Sequence, residues 1–75
     1  MSLLELAPGE GAVIERLEAH SEDEALLRAM GILEGEPVRV LRRAPLGGPL
    51  HVRVRDAAFA LGRSLAGAVI VRRAP

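Results

Sequence analysis

Few side chains in this sequence could perform catalytic chemistry, and their spacing does not fit a catalytic site. The chain contains no cysteine, which excludes a thiol nucleophile, a disulfide framework and a zinc finger. No glycine-flanked nucleophile elbow surrounds Ser2 or Ser64, and Ser21 is better explained as a helix cap. A phosphate-binding loop ending in Gly-Lys-Ser/Thr is also excluded, because the chain has no lysine. We therefore expect a protein that is not an enzyme and that carries no cofactor.

The only imidazole side chains are those of His20 and His51. Neither lies in a cluster of His, Asp and Glu residues with the spacing of metal ligands. His20 precedes a predicted helix and His51 lies on the polar face of a predicted strand, so we interpret both as solvent-exposed. The sequence therefore predicts no metal site.

The charges are balanced overall but divided along the chain. Residues 1–37 carry nine acidic side chains and two arginines, whereas residues 38–75 carry eight arginines and one acidic side chain. The resulting net charges of −7 and +7 offer complementary patches that would orient a docking partner and raise its rate of association. Docking on another protein is one role that this pattern favours.

A stripe of outward-facing arginines is expected on adjacent strands, and it could bind the phosphates of a nucleic acid. Its members are Arg39, Arg53 and Arg55, with Arg42, Arg43, Arg72 and Arg73 nearby. Against this interpretation stand the zero net charge, the absence of lysine and a single aromatic residue, Phe59, which leaves no platform for stacked bases. The alternative is a solvated sheet face that the acidic first half partly neutralises.

The first part of the chain predicts a turn followed by a strand. Pro8-Gly9 is a strong turn signal after a short apolar segment. Residues 12–19 contain the β-branched pair Val13-Ile14 and fit a strand, although their imperfect alternation predicts a kink or bulge.

A helix is predicted at about residues 22–30. The segment Ser21-Glu22-Asp23-Glu24 has the form of a capping box, in which the serine oxygen accepts a backbone N–H and the glutamate accepts the serine N–H. One apolar face of this helix is expected to cover an opening of the core, and it is formed by Leu26, Leu27 and Met30.

From residue 32 onward the sequence is typical of short strands separated by turns. Strands are predicted at 38–40, 50–55, 57–61 and 68–71, with a hairpin connection at 44–49 and a helical turn or loop at 63–67. Residues 50–55 alternate apolar and polar side chains without error, which is the clearest strand signal in the chain.

These elements predict a mainly β protein, a small and partly open barrel with one short helix inserted after the first strand. At 75 residues the chain is expected to form a single domain, residues 1–75, with a core of Leu, Val, Ile and Ala. No segment has the pattern of a signal peptide or of a bilayer-spanning helix. We therefore expect a cytoplasmic protein without membrane insertion.

Several motifs, in their order and spacing, resemble those of the FeoA family. The opening Leu3-Leu4-Glu5-Leu6-Ala7-Pro8-Gly9 is similar to the family's Leu-x-x-Leu-x-x-Gly segment. The run Leu27-Arg28-Ala29-Met30-Gly31-Ile32-Leu33-Glu34-Gly35 is similar to its Leu-x-x-Met/Leu-Gly-Ile/Leu-x-x-Gly motif. The likeness continues through the hairpin at 45–49 to the closing strand, and it covers essentially the whole chain.

This resemblance implies a Src-homology-3-like (SH3-like) barrel that acts with FeoB, the membrane transporter of ferrous iron with a GTP-binding domain. It predicts a non-enzymatic accessory or regulatory protein of bacterial ferrous iron uptake. The side chains that we expect to contact this partner are those of Leu27, Arg28, Met30, Arg53 and Arg55. Leu27 or Leu33 is expected to remain partly exposed for that purpose.

Two other functions stay open at this point. One is a small nucleic-acid-binding barrel that uses the arginine stripe, and the other is a direct sensor of ferrous iron that uses His51 and nearby acids. Self-association is also left open by the sequence.

Overall fold

The computed structural model describes residues 1–73, which form five strands and two α-helices after a short 3-10 turn. The elements are the 3-10 turn Leu3–Glu5, β1 Gly11–Leu17, α1 Ser21–Ala29, β2 Pro37–Arg43, β3 Leu50–Val54, β4 Ala57–Leu61, α2 Arg63–Ala68 and β5 Val69–Arg73. The last two residues of the predicted domain lie outside the described residues. Within the described part of the chain, no helix is long and apolar enough to cross a bilayer.

The five strands form one antiparallel sheet in the order β4-β3-β2-β1-β5. Its two edge strands, β4 and β5, are not paired with each other, so the sheet is the partly open barrel that the sequence predicts. The helix α2 connects these edges and packs on β4, on β5 and on the 3-10 turn. The edge of β5 is also covered by the N-terminus, since the N–H of Val71 donates to the carbonyl of Met1 at 2.7 Å.

The core lies on the inner, concave face of the curled sheet, where the apolar residues of the alternating strands are buried. The buried residues of β2 and β3 are Val38, Val40, Leu50, Val52 and Val54. Successive side chains of a strand point to opposite faces, so the arginines between these residues lie on the outer face. No polar or charged residue is buried within residues 1–73, and the core is wholly apolar there.

Two β-bulges shift the register of the sheet. One lies in β1 between Ile14 and Arg16, opposite β5, and confirms the irregularity predicted for this strand. The other lies in β2 between Val40 and Arg42, opposite β3. A bulge adds one residue to one strand and increases the local twist, which helps a five-stranded sheet to curl.

The capping box predicted at Ser21 is wrong. Ser21 is the first residue of α1, and the N-cap is His20, which makes no side-chain cap hydrogen bond. A capping box is formed instead by Ser2 and Glu5 at the 3-10 turn. Ser2 Oγ accepts a backbone N–H of the turn at 3.2 Å, and Glu5 Oε2 accepts the N–H of Ser2 at 2.7 Å. Both segments read Ser-x-x-Glu, and only an extended serine just before the first turn can act as the cap.

The helix α1 buries a single side chain completely, that of Leu27. Leu26 is 48 % exposed, and Met30 packs half-buried against the core. Adjacent helical residues point about 100° apart, and α1 is oriented with Leu27 toward the core and Leu26 turned toward solvent. The expected apolar face is therefore reduced to Leu27 and Met30. Of the two leucines of which one was expected to remain partly exposed, Leu27 is buried and Leu33 is half-buried.

Candidate partner-binding site

An open groove of about 600 Å³ crosses the outer face of β1, β2 and β3. The lining residues are Gly11, Ala12, Val13, Pro37, Val38, Arg39, Arg53 and Arg55. The floor is apolar, because Gly11, Val13 and Pro37 carry no polar side-chain atoms. Three guanidinium groups surround this floor, and none of the lining residues is acidic.

Arg39 of β2 and Arg53 of β3 face each other directly across the antiparallel ladder. Residues in that relationship have Cβ atoms about 4.5–5.5 Å apart, and like charges there are destabilising. Arg39 Nη1 donates to the carbonyl of Gly9, and Arg53 forms no ion pair within residues 1–73. The pair therefore presents two positive charges without a carboxylate between them.

Arg55 lies in the two-residue turn between β3 and β4 with a φ of 55°, a left-handed conformation that is uncommon outside glycine. Its side chain binds the carboxylate of Glu36 through two hydrogen bonds of 2.7 and 2.9 Å. These bonds, reinforced by the opposite charges, lower the pKa of Glu36 below its ordinary value of 4.5 and raise the pKa of Arg55. The third guanidinium of the groove is thus already held by a carboxylate of the same chain.

Arg28 braces α1 against the loop that follows the helix. Its guanidinium donates to Glu24 at 2.9 Å and to both oxygens of Glu34 at 3.0 and 2.9 Å. Hydrogen bonds, first that to Glu34 and then that to Glu24, raise the pKa of Arg28. Since Glu34 and Glu36 belong to one short loop, Arg28 and Arg55 hold that loop from two sides.

Of the five side chains that we expected at a partner-binding surface, the structure brings only Arg53 and Arg55 together at the groove. Leu27 is completely buried, and Met30 and Arg28 are on or after α1, away from the lining residues. The predicted set is therefore divided between the groove and the helix α1.

The floor of the groove was not predicted from the sequence, and it is formed by Gly11, Val13 and Pro37. Two of these residues could have been placed on the outer face from the alternation of β1. Gly11 and Val13 alternate with Ala12 and Ile14, which are buried, so Gly11 and Val13 belong to the outer face. Gly11 also pairs with Arg39 across the ladder, and a Cβ at this glycine would touch the Arg39 guanidinium at 3.7 Å. Because glycine has no side chain, position 11 leaves space in the groove that a larger residue would fill.

The two histidines do not assemble with acidic side chains. His20 is exposed at the start of α1, where its carbonyl accepts the N–H of Glu24 at 2.8 Å. His51 is half-buried on β3, and its neighbours across the ladders are Arg42 and Ala60. Within residues 1–73 no group of three or more His, Asp and Glu side chains could hold a metal ion.

Several members of the predicted arginine stripe are bound within the chain. Arg43 donates to the carbonyls of Leu4 and Leu6, and Arg73 binds the carboxylate of Glu10. The pairs Glu36–Arg55 and Glu10–Arg73 join the acidic half of the sequence to the basic half. The division of charge along the sequence is therefore partly cancelled on the folded surface.

Comparison with known proteins places these features in a family. The model of the FeoA domain matches residues 1–73. The chain belongs to the FeoA family. A curated relative, the Fe(2+) transport protein A/Fe(2+) transporter FeoB fusion protein of Porphyromonas gingivalis, is 34 % identical over 71 residues, which are 95 % of this chain and 8 % of that protein. This chain thus spans a small part of that relative, and the predicted family is confirmed.

Two solved structures share the fold of this chain and about a third of its sequence. FeoA of Stenotrophomonas maltophilia, solved with zinc and described as a prokaryotic SH3 domain protein, is 37 % identical, with a TM-score of 0.84 over 96 % of this chain and 89 % of that one. A crystal structure of the iron uptake regulatory protein FeoA is 32 % identical, with a TM-score of 0.87 over 96 % and 95 % of the two chains. The predicted SH3-like barrel is confirmed by this likeness.

Proposed function

We propose that this chain is a non-enzymatic, cytosolic accessory protein of ferrous iron uptake that docks on the cytosolic part of a FeoB-type transporter through the groove between β1, β2 and β3. The opposed pair Arg39 and Arg53 carries this proposal, because the pair lies over an apolar floor that no acidic side chain lines. The occupant is an extended segment of the transporter with acidic side chains. Its binding adjusts the assembly or the nucleotide turnover of the transporter.

The chemistry of the groove supports such an occupant. A carboxylate between Arg39 and Arg53 would relieve their repulsion and accept charge-assisted hydrogen bonds, which are about twice as strong as neutral ones. The apolar floor of Gly11, Val13 and Pro37 offers surface that the backbone and aliphatic stems of the segment can bury. Exposed positive charge also raises the rate of association with an acidic partner.

The relatives support the choice of transporter. In Porphyromonas gingivalis a protein A region and a FeoB region belong to one chain, which keeps the two at high effective concentration. The relative from Stenotrophomonas maltophilia is described as a candidate activating factor of bacterial ferrous iron transport. A family member that is not fused to its transporter would need a docking surface to reach the same proximity.

A titration tests this proposal. The full chain is titrated against a purified, intact FeoB-type transporter and against its isolated GTP-binding domain, at 50 and 300 mM salt. We expect saturable binding to at least one of them that weakens with salt. Arg53→Glu should weaken binding at least tenfold, whereas Arg16→Glu, which makes the same change of charge on β1 outside the groove, should leave it within twofold. Absence of binding by the folded chain to either preparation would refute the proposal.

The same preparation separates the two alternative functions. A nucleic-acid-binding barrel would shift labelled DNA or RNA at low salt, and that shift would disappear steeply as salt rises. A direct ferrous iron sensor would release or absorb heat when anaerobic iron is added to the chain alone. Either result without transporter binding would replace the proposed function.

A further inference from the structure

The tip of the hairpin between β2 and β3 carries a leucine that neither burial nor backbone preference explains. Leu46 is 104 % exposed and has a φ of 60°. This region of backbone space favours glycine and is an outlier for a bulky side chain. Two glycines, Gly47 and Gly48, follow immediately, so a glycine-rich turn would be satisfied by glycine at position 46 as well.

The hairpin holds this leucine in a defined position. The N–H of Ala44 donates to the carbonyl of Pro49 at 3.1 Å, and the N–H of Gly48 donates to the carbonyl of Pro45 at 3.2 Å. The two prolines fix the backbone on either side of the tip. A Cβ at Gly48 would lie 2.8 Å from the Cβ of Ala44, which shows how closely the turn is packed. A pre-organised tip loses little conformational entropy when it binds.

A guanidinium group stands next to the tip. A Cβ at Gly47 would lie 3.4 Å from Cδ of Arg63, the first residue of α2. Arg63 is exposed and forms no ion pair within residues 1–73. The exposed Leu46 beside the guanidinium of Arg63 is complementary to an apolar pocket that has a carboxylate at its rim.

We propose that Leu46 anchors a second docking contact, in which the hairpin tip inserts into an apolar pocket of the partner that has a carboxylate at its rim. This inference rests on the proposed function and places the pocket on the same FeoB-type transporter. The groove and the hairpin tip are separated along the strand. Arg53 of the groove lies three residues after Leu50, the first residue of β3, and a strand rises about 3.3 Å per residue. A single partner can therefore contact the groove and the tip of this hairpin at the same time.

Leucine replacements test the anchor against the intact transporter in detergent micelles. Leu46→Asn keeps a similar size and suits a positive φ but removes the apolar surface, and Leu46→Gly relieves the backbone. We expect both to weaken binding tenfold or more, since full burial of a leucine is worth that much, while Leu46→Met stays within twofold. Arg63→Glu should weaken binding several-fold. Leu26→Asn makes the same chemical change at an exposed leucine of α1 and should leave binding unchanged.

A second readout separates an anchor from a structural role. The thermal midpoints of Leu46→Gly and Leu46→Asn should equal or exceed that of the unaltered chain, because the side chain contributes nothing to the core and strains the backbone. Weaker binding at unchanged or higher stability would show that the variants lose binding without unfolding, and equal losses by Leu46→Asn and Leu46→Gly would assign the loss to the missing apolar side chain.

The possible results point to different conclusions. If the unaltered chain does not bind the transporter, the proposed function fails and this inference fails with it. If the unaltered chain binds and Leu46→Asn binds equally well, the anchor is refuted while the groove proposal stands. Weakening by Leu26→Asn instead of Leu46→Asn would move the contact to α1. Leu46-dependent binding to phosphatidylglycerol vesicles without transporter would replace the protein pocket by a membrane surface.

Discussion

Arg39 on β2 lies directly opposite Arg53 on β3, with both side chains on the outer face of the barrel. The ladder places two like charges in a position that does not favour folding, while the same residues line a groove with an apolar floor. The β-bulge after Val40 ends this register, since Arg42 is already paired with His51. The opposed arginines therefore give the sheet a local excess of positive charge that a bound carboxylate would relieve.

Reversing one of the opposed charges should stabilise the fold. Arg53→Glu replaces a repulsive pair by an attractive one opposite Arg39, and we expect the free energy of unfolding to rise by about 0.2–1 kcal/mol. Urea unfolding followed by circular dichroism measures this change. Together with the weaker transporter binding expected above, the variant would be more stable and less functional. A lower unfolding free energy would contradict the repulsion assigned to this pair.

Two neighbouring leucines of α1 should respond very differently to truncation. Leu27→Ala removes a completely buried side chain and should lower the free energy of unfolding by about 2–5 kcal/mol. Leu26→Ala, at 48 % exposure, should change it by no more than about 0.5 kcal/mol. Equilibrium denaturation of the two variants decides the matter. Equal losses would mean that α1 is rotated relative to the core.

The serine that caps a helix can be identified by a matched pair of substitutions. Ser2→Ala removes the hydroxyl of the capping box at the 3-10 turn and should lower the unfolding free energy by about 0.5–2 kcal/mol. Ser21→Ala, in the first turn of α1 but outside the N-cap, should have almost no effect. The midpoints of thermal unfolding report both changes. The opposite order would restore the capping box first expected at Ser21.

The leucine at the hairpin tip should be dispensable for stability. Leu46→Gly removes a fully exposed side chain from a backbone with φ of 60°, and we expect the free energy of unfolding to rise by about 1 kcal/mol. The gain is limited because glycine also loses more conformational entropy on folding. Differential scanning calorimetry would show the higher midpoint. A marked loss of stability would mean that Leu46 has contacts in the folded chain.

Stability should fall in acid through three carboxylates whose pKa values are lowered in the folded state. The pKa of Glu36 is lowered by Arg55, that of Glu34 by Arg28, and that of Glu10 by the backbone N–H of Ala7 and then by Arg73. A carboxylate with a lowered folded pKa contributes stability above its unfolded pKa and loses it as pH falls through the folded value. The free energy of unfolding should therefore decrease from about pH 5 downward.

Glu36→Gln is the control for this acid dependence. It should reduce the slope of the unfolding free energy against pH below pH 5, because one of the three linked protonations is removed. Near pH 7 the variant should lose little stability, because solvent screens an exposed ion pair and keeps its contribution small. An unchanged slope would assign the acid dependence to other groups.

The sequence predicted the strands well where local alternation decides the structure. Residues 50–55 alternate without error, and Leu50, Val52 and Val54 are indeed the buried residues of β3. A strand has a period of two, so the inward face can be counted from the sequence alone. The helix α1 was recognised for a similar reason, but its cap was placed at Ser21 instead of His20, and Leu26 was wrongly included in the inward face with Leu27 and Met30. Helix boundaries differ by one or two residues between ways of assigning them, so a cap is easily displaced by one position.

The site was predicted only in part, because its residues are distant in sequence. Arg53 and Arg55 were named from their positions on one strand, whereas Gly11, Val13 and Pro37 come from elements that meet only in the folded sheet. Pairing of Glu36 with Arg55 joins residues 19 positions apart, and no local pattern indicates it. The sequence could count the charges of each half but could not show which of them neutralise one another.

The sequence by itself determined the mainly β fold, the apolar core and the family. It also contains none of the residue patterns of nucleophile elbows or zinc fingers. These properties depend on residue types and on spacings along a single element. Only the tertiary structure decided that Arg39 faces Arg53, that Arg28 and Arg55 hold the same loop, and that Leu46 stands fully exposed at a strained tip. Strand register, bulges and turn conformation set those relationships, and they result from the packing of the whole sheet.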